Sequence, residues 1–288
     1  MTRPRLLPVL RLCRIGMWFS PAADVLAGAA VAEVAFDGAV ARAMLASMLL
    51  YGAGMVWNDI ADRKLDAIQR PERPLPRGDL PPTFAAILGL ALLGAGLAVT
   101  PCLAHHALIA SLVMFYDFLG KRLEWLAALN MGTLRALNLG TGLQLAAADA
   151  PETARRALLL AALCYGIYIV AVTIVGIFED TPSVRARAVS TVQAAPPIVA
   201  FAGVAVVQGG IWPAPAIAAI PAIWFLRRNA RSKEWSQASI RQSMMYLLLG
   251  TMLYTSLLAL AAGAWLASLA IAAAIPAARK IARVIALS

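Results

Sequence analysis

One short stretch combines residue types and spacing in a way that could do chemistry: Asn58-Asp59-Ile60-Ala61-Asp62-Arg63-Lys64-Leu65-Asp66. On a helix advancing about 100° per residue, Asp59, Asp62 and Asp66 fall within about 60° of one another, so three carboxylates share one face. Carboxylates this close repel unless a cation neutralises them. Mg²⁺ suits them as a hard ion that accepts one or two carboxylates, keeps waters, and takes its remaining ligands from substrate phosphates. Immediately downstream runs Arg70-Pro71-Glu72-Arg73-Pro74-Leu75-Pro76-Arg77-Gly78. Its prolines forbid a regular helix and stiffen a loop whose guanidinium groups at Arg70, Arg73 and Arg77 could clamp a diphosphate through forked hydrogen bonds.

Other polar residues are sparse, and in so apolar a chain each is a candidate for function. Asp24 lies about two turns into the first apolar stretch. Tyr116 and Lys121 flank the end of the fourth. Asn130, Arg135 and Asn138 fall on one helical face of the fifth, and Arg135 needs an anionic partner there: Asp24, a ladder carboxylate or the substrate. Glu179-Asp180 is a further acidic pair, at the end of the sixth. His105-His106 reads as an interfacial polar pair rather than a metal site. Cys13, Cys102 and Cys164 are too scattered for a disulfide framework or a zinc site.

The elements that must position these residues follow from composition. Hydrophobic residues make up 61% of the chain, charged residues only 14%, and the mean hydropathy is +0.75, whereas soluble domains carry about a quarter charged residues. The expectation is a multi-pass integral membrane protein, all-α, in one domain over residues 1–288. Apolar runs centred near Gly28, Met48, Gly94, Leu112, Gly140, Ile169, Val204, Pro221 and Leu258 predict nine transmembrane helices. Residues 272–288 are expected to form an interfacial tail.

Most of the 25 basic residues cluster in the N-terminal arm and in the loops after the second, fourth, sixth and eighth runs. The positive-inside bias therefore puts the acidic ladder, Lys121 and Glu179 on the cytoplasmic face, and the membrane expected is a bacterial inner membrane. The Arg-rich start and the apolar run behind it are read as an arm and a first span, not as a cleaved signal peptide. A net charge of +10 is explained by this asymmetry and by attraction to anionic lipid. The bases flank apolar helices and form no RNA-binding or helix-turn-helix pattern, so nucleic acid is not a partner.

With these residues laid out, the chain resembles the UbiA superfamily of intramembrane prenyltransferases over nearly its whole length. The ladder Asn58 to Asp66 and the loop Arg73 to Gly78 are similar to that family's first aspartate-rich motif. Tyr116 with Lys121 resembles its Tyr…Lys element, and Asn130 occupies the asparagine position that follows. The segments Ala23 to Gly28 and Leu129 to Asn138 resemble the EboC-like branch. The resemblance implies an all-helical bundle of nine transmembrane helices around a central cavity, two Mg²⁺ ions bridging an isoprenyl diphosphate, and transfer to a small, often aromatic, acceptor. The second motif departs from the family: its first aspartate falls on Glu179, and its second carboxylate positions fall on Pro182 and Ser183. Glu179 and Asp180 are what remain to hold a second metal.

The chemistry these residues would be asked to do is ionisation of an allylic diphosphate. Asp59, Asp62 and Asp66 would hold Mg²⁺ against the leaving group, with Arg73, Arg77 or Lys121 adding positive charge. The aromatic faces of Trp18, Phe19, Tyr51, Trp57, Tyr116 and Tyr168 are candidates to shield a carbocation. An apolar tunnel would hold the tail at about 0.8 kcal/mol per methylene, and Asp24, Asn130, Arg135 and Asn138 would face the acceptor. A terpene cyclase or prenyl diphosphatase on the same fold would keep the first motif and need no acceptor pocket. A non-catalytic isoprenoid-lipid carrier would bind donor and do no chemistry.

Overall fold

The computed structural model describes residues 6–148, 150–178 and 236–287, with isolated positions between 201 and 228. Among the described residues every regular element is a helix. In chain order these are α1 (Leu6–Leu12), α2 (Phe19–Val31), α3 (Gly38–Ala61), α4 (Arg63–Gln69), α5 (Pro82–Val99), α6 (Leu103–Phe118), α7 (Glu124–Leu145) and α8 (Glu152–Ile177), then α9 (Gln237–Ala261) and α10 (Trp265–Leu287). Short 3₁₀ turns at Ile15–Met17 and Gly120–Arg122 precede α2 and α7.

Among the described residues, four helices are long and apolar enough to cross a membrane: Gly38–Ala61, Pro82–Val99, Glu152–Ile177 and Trp265–Ile285. Their outward faces stay apolar, with Ile87 and Leu90 on α5, Leu159, Leu163 and Ile167 on α8, and Leu266 and Leu269 on α10 all exposed. A hydrocarbon surround makes such a surface tenable. The chain is a multi-pass membrane protein. Most of the runs expected near Val204 and Pro221, and both Glu179 and Asp180, lie outside the described residues.

The core forms around α2, which packs on α3, α7, α9 and α10. The contact with α7 is closest. A Cβ on Gly28 would overlap the carbonyl oxygen of Leu139, and one on Gly142 would overlap the backbone of Gly28. Small residues thus let two helix backbones touch, as membrane packing favours where water provides no driving force. On the α8–α9 side, Tyr165, Tyr168 and Tyr254 form an aromatic cluster with ring centroids 4.9 to 6.5 Å apart.

Local sequence sets the ends of the elements. Asp37 caps α3 by accepting the Ala39 and Val40 N–H groups, each at 2.9 Å. Gly263, at φ 78°, makes the tight turn between α9 and α10, a left-handed conformation glycine adopts without penalty. Residues 272–287, expected as a separate tail, instead continue α10 in one helix from Trp265. The end of that helix returns to the N-terminal arm, where Arg11 Nε donates to the Ile285 carbonyl at 2.8 Å. The three positive charges of Arg279, Lys280 and Arg283 are thereby brought toward the face that carries the ladder.

Candidate functional site

The acidic ladder straddles a junction instead of lying on one uninterrupted helix. Asp59 is in the last turn of α3, Asp62 sits at the break, and Asp66 is inside α4. Backbone hydrogen bonds run through it, from Asp62 N to Asn58 O and from Asp66 N to Asp62 O, so the helical phase is nearly kept. Asp59 and Asp66, one heptad apart, therefore point the same way. Both accept from Arg73 Nη1, at 3.2 and 2.5 Å. Asp62 is turned off that line and meets Lys121 Nζ at 2.5 Å. Three expected co-ligands are thus divided into a pair and a single.

Arg73 reaches back because its loop is packed. Leu75 and Leu80 are buried against Leu12, Cys13, Val56 and Ala85. Arg70 lies 3.8 Å from Asp66, whereas Arg77 turns away to Asp79 at 3.4 Å. Asp59 has a second partner that sequence reasoning missed, Arg14, whose Nη2 donates at 2.9 Å. Arg14 carries a positive φ of 47° just before the first 3₁₀ turn. Its neighbour Cys13 stays a thiol, since burial pushes its pKa up to about 11.

A cavity of about 440 Å³ opens among these groups. At its mouth stand Arg14, Arg70, Arg73, Asn58, Asp62, Tyr116 and Lys121. Leu50, Met55, Ile109, Val113, Met131 and Leu134 form the apolar walls, and the polar residues Ser47, Arg135 and Asn138 also line it. Of the aromatic candidates, Tyr51 and Tyr116 line the cavity. Trp18 instead lies against Gly52 with its indole N–H on the Cys13 carbonyl, and Tyr168 belongs to the aromatic cluster.

The Arg135 end is a buried network. Arg135 Nη2 is 3.0 Å from Asp24 Oδ1 and 2.6 Å from both Ser20 Oγ and Tyr165 Oη. Asn138 Nδ2 donates to Asp24 Oδ2 at 3.0 Å, and Tyr165 Oη donates to Asp24 Oδ1 at 2.9 Å. The partner of Arg135 is therefore Asp24, which is fully buried. The network extends outward through Ser47, which donates to Asn138 Oδ1 at 2.7 Å and lies 3.3 Å from His106 Nε2. His106 Nδ1 is 2.7 Å from Thr100 Oγ1. The expectation that His106 is interfacial is corrected: the ring is fully buried and completes this chain of hydrogen bonds. Asn130 is placed elsewhere, at the α6–α7 seam, where its Nδ2 donates to the Leu112 carbonyl at 3.2 Å.

Among the described residues no group of three or more His, Cys, Asp or Glu side chains converges as a metal site. The donor chemistry at the mouth nevertheless fits Mg²⁺. Asn58 and Asp62 present hard oxygens at the cavity, and Lys121 Nζ, 3.4 Å from Asn58 Oδ1 and 2.5 Å from Asp62 Oδ1, shows that a cation is accommodated between them.

The fold and the site together define the class: a helical membrane bundle with acidic and basic groups lining one end of an otherwise apolar cavity. Residues 22–191 match the model of the UbiA prenyltransferase family, more than half of the chain, and the chain belongs to that family. A digeranylgeranylglyceryl phosphate synthase of Methanothrix thermoacetophila is 36% identical over 109 residues, which cover 33% of this chain and 41% of that one. The chain thus aligns with less than half the length of that curated relative. Two solved structures share the fold. One, described as a digeranylgeranylglyceryl phosphate synthase in membranes, superposes with a TM-score of 0.63 at 21% identity, covering 89% of this chain and 97% of that one. The other is a UbiA homologue from Archaeoglobus fulgidus bound to GPP and Mg²⁺, with a TM-score of 0.59 at 15% identity and coverage of 86% and 99%.

Proposed function

We propose that the protein is an Mg²⁺-dependent intramembrane prenyltransferase that moves an isoprenyl group from an isoprenyl diphosphate to a small acceptor, with its active-site mouth facing the cytoplasm of a bacterial cell. The observation that carries this reading is the cavity itself: cationic groups at its mouth, apolar walls, and a separate polar lining at Arg135 and Asn138. The diphosphate would lie against Arg14, Arg73 and Lys121, the isoprenyl chain along Leu50, Ile109, Val113 and Leu134, and the acceptor toward Arg135. GPP and Mg²⁺ in the A. fulgidus homologue support the same pairing here. The finer likeness to the EboC-like branch rests on the segments around Asp24 and Asn138.

In the reaction the C1–O bond of the donor breaks and its electron pair leaves with the diphosphate. The acceptor supplies the electron pair for the new bond to C1 and releases a proton. Bound Mg²⁺, held by Asp62 and Asn58, would neutralise charge building on the leaving diphosphate. Arg14, Arg73 and Lys121 add fixed positive charge at the same place and orient the phosphates. Tyr51 and Tyr116 present aromatic surface to the cavity, and its apolar walls exclude water from the cation. Among the described residues Arg135 uses only Nη2 for hydrogen bonding, so its Nη1 and Nε can donate to an acceptor oxygen.

A carrier that binds donor without reacting is favoured by one observation: Asp59, Asp62 and Asp66 are each already neutralised by a basic side chain. Mass spectrometry of cells with and without the gene separates the readings. Transfer predicts a prenylated metabolite that vanishes on deletion; an unchanged metabolite profile contradicts it.

A further inference from the structure

Asp117 is a carboxylate for which the reading so far has no use. It ends α6 four residues before Lys121, is only 3% exposed, and lines the same cavity. Its Oδ2 atom is buried without a hydrogen-bond partner among the described residues. Lys121, Asp62, Arg14 and Asp59 all lie within electrostatic reach of it. A carboxylate oxygen buried and unpaired keeps the full cost of losing its water. Such an atom is retained where something else satisfies it.

The surroundings indicate what that is. Lys121 Nζ sits between Asn58 Oδ1 and Asp62 Oδ1, so a positive charge is already stable at this spot. Asp117 approaches it from α6 while Asn58 and Asp62 approach from α3. An anionic diphosphate at the mouth would offer Lys121 a better partner than Asp62, leaving the oxygens of Asn58, Asp62 and Asp117 to a divalent cation. Two carboxylates, one amide oxygen, waters and phosphate oxygens are a donor set that Mg²⁺ accepts.

We propose that Asp117 is a direct ligand of the Mg²⁺ ion, so that the ion is held between the ends of α3 and α6. This rests on the reading of the cavity as a diphosphate site. It goes beyond the acidic ladder and the Glu179-Asp180 pair by assigning a metal ligand to a helix that neither motif includes.

The test uses the full chain in detergent, in a background with Cys13, Cys102 and Cys164 replaced by serine. Mn²⁺ serves as the spin probe and inorganic pyrophosphate as the diphosphate. Electron paramagnetic resonance is expected to show Mn²⁺ bound in the presence of pyrophosphate, with affinity falling at least tenfold in Asp117→Asn. Asp117→Cys presents a thiolate, so it should lose Mn²⁺ and gain Cd²⁺, seen as sulfur-to-cadmium charge-transfer absorption. A residue that only positions Lys121 would not produce that absorption. Undiminished Mn²⁺ affinity in Asp117→Asn, or Asp117→Cys binding Cd²⁺ without the absorption band, overturns the assignment while leaving the diphosphate site intact. Failure of the unsubstituted background to bind Mn²⁺ with pyrophosphate would instead remove the Mg²⁺ reading on which the assignment rests.

Discussion

Asp24 on α2 and Arg135 on α7 are joined at 3.0 Å although 111 residues separate them, and the carboxylate has no exposure at all. Removing one member of a buried ion pair leaves an uncompensated charge, which costs about 3–5 kcal/mol, whereas replacing both with apolar groups is far milder. Arg135→Leu alone should therefore lower the thermal unfolding midpoint in detergent more than the Asp24→Leu, Arg135→Leu double variant does. Equal losses in the two variants would mean that the pair is not coupled as described.

Gly28 and Gly142 set the closest helix contact, and Gly140 in the same helix has open space where a Cβ would go. Gly28→Ala should destabilise the protein by about 1–3 kcal/mol through overpacking, while Gly140→Ala should be close to neutral. Thermal unfolding of the two alanine variants side by side checks this, and comparable effects would argue against the tight α2–α7 crossing.

Arg73 binds Asp59 and Asp66 through one nitrogen, Nη1, and still lines the cavity. Its Nη2 and Nε are the donors proposed to meet the diphosphate. A hydrogen bond to a charged group contributes about 1.5–3 kcal/mol, so Arg73→Gln should weaken pyrophosphate binding by roughly tenfold to a hundredfold in calorimetry. Arg77→Gln, whose parent side chain faces Asp79, should change it little.

The return of α10 to the N-terminal arm predicts the membrane side of the C-terminal end. Single cysteines at Ala67, Arg122 and Arg283, in a background without the native cysteines, should all be labelled by a membrane-impermeant thiol reagent from the cytoplasmic side. Labelling at Arg283 from the opposite side would show that α10 does not cross back.

The ladder was legible in the sequence because its residues are neighbours on one chain segment, where a period of 3.6 fixes their relative direction. The same geometry explains why Asp62 parts from the other two. Partners remote in sequence were not legible. Arg14 lies 45 residues from Asp59 and read only as one positive charge in a basic arm. Tyr165 and Ser47 carry no motif, and their place in the Asp24 network depends on how α3, α7 and α8 pack. In the sequence His106 looks interfacial because a histidine pair at the start of an apolar helix resembles an interfacial feature, and only the neighbours Ser47 and Thr100 reveal its burial. The helix from Trp265 to Leu287 was undercut by its late basic residues, which make the C-terminal stretch look too polar to continue the apolar run.

The most direct test of prenyl transfer uses the purified protein in lipid vesicles with an isotopically labelled isoprenyl diphosphate, Mg²⁺ and an acceptor fraction from the deletion strain. Wild type should release pyrophosphate and place the label on an acceptor, and Asp62→Asn or removal of Mg²⁺ by EDTA should abolish both. Donor bound but recovered intact would contradict transfer and support a carrier, and label recovered as free prenol or a cyclised hydrocarbon would contradict it in favour of chemistry without an acceptor.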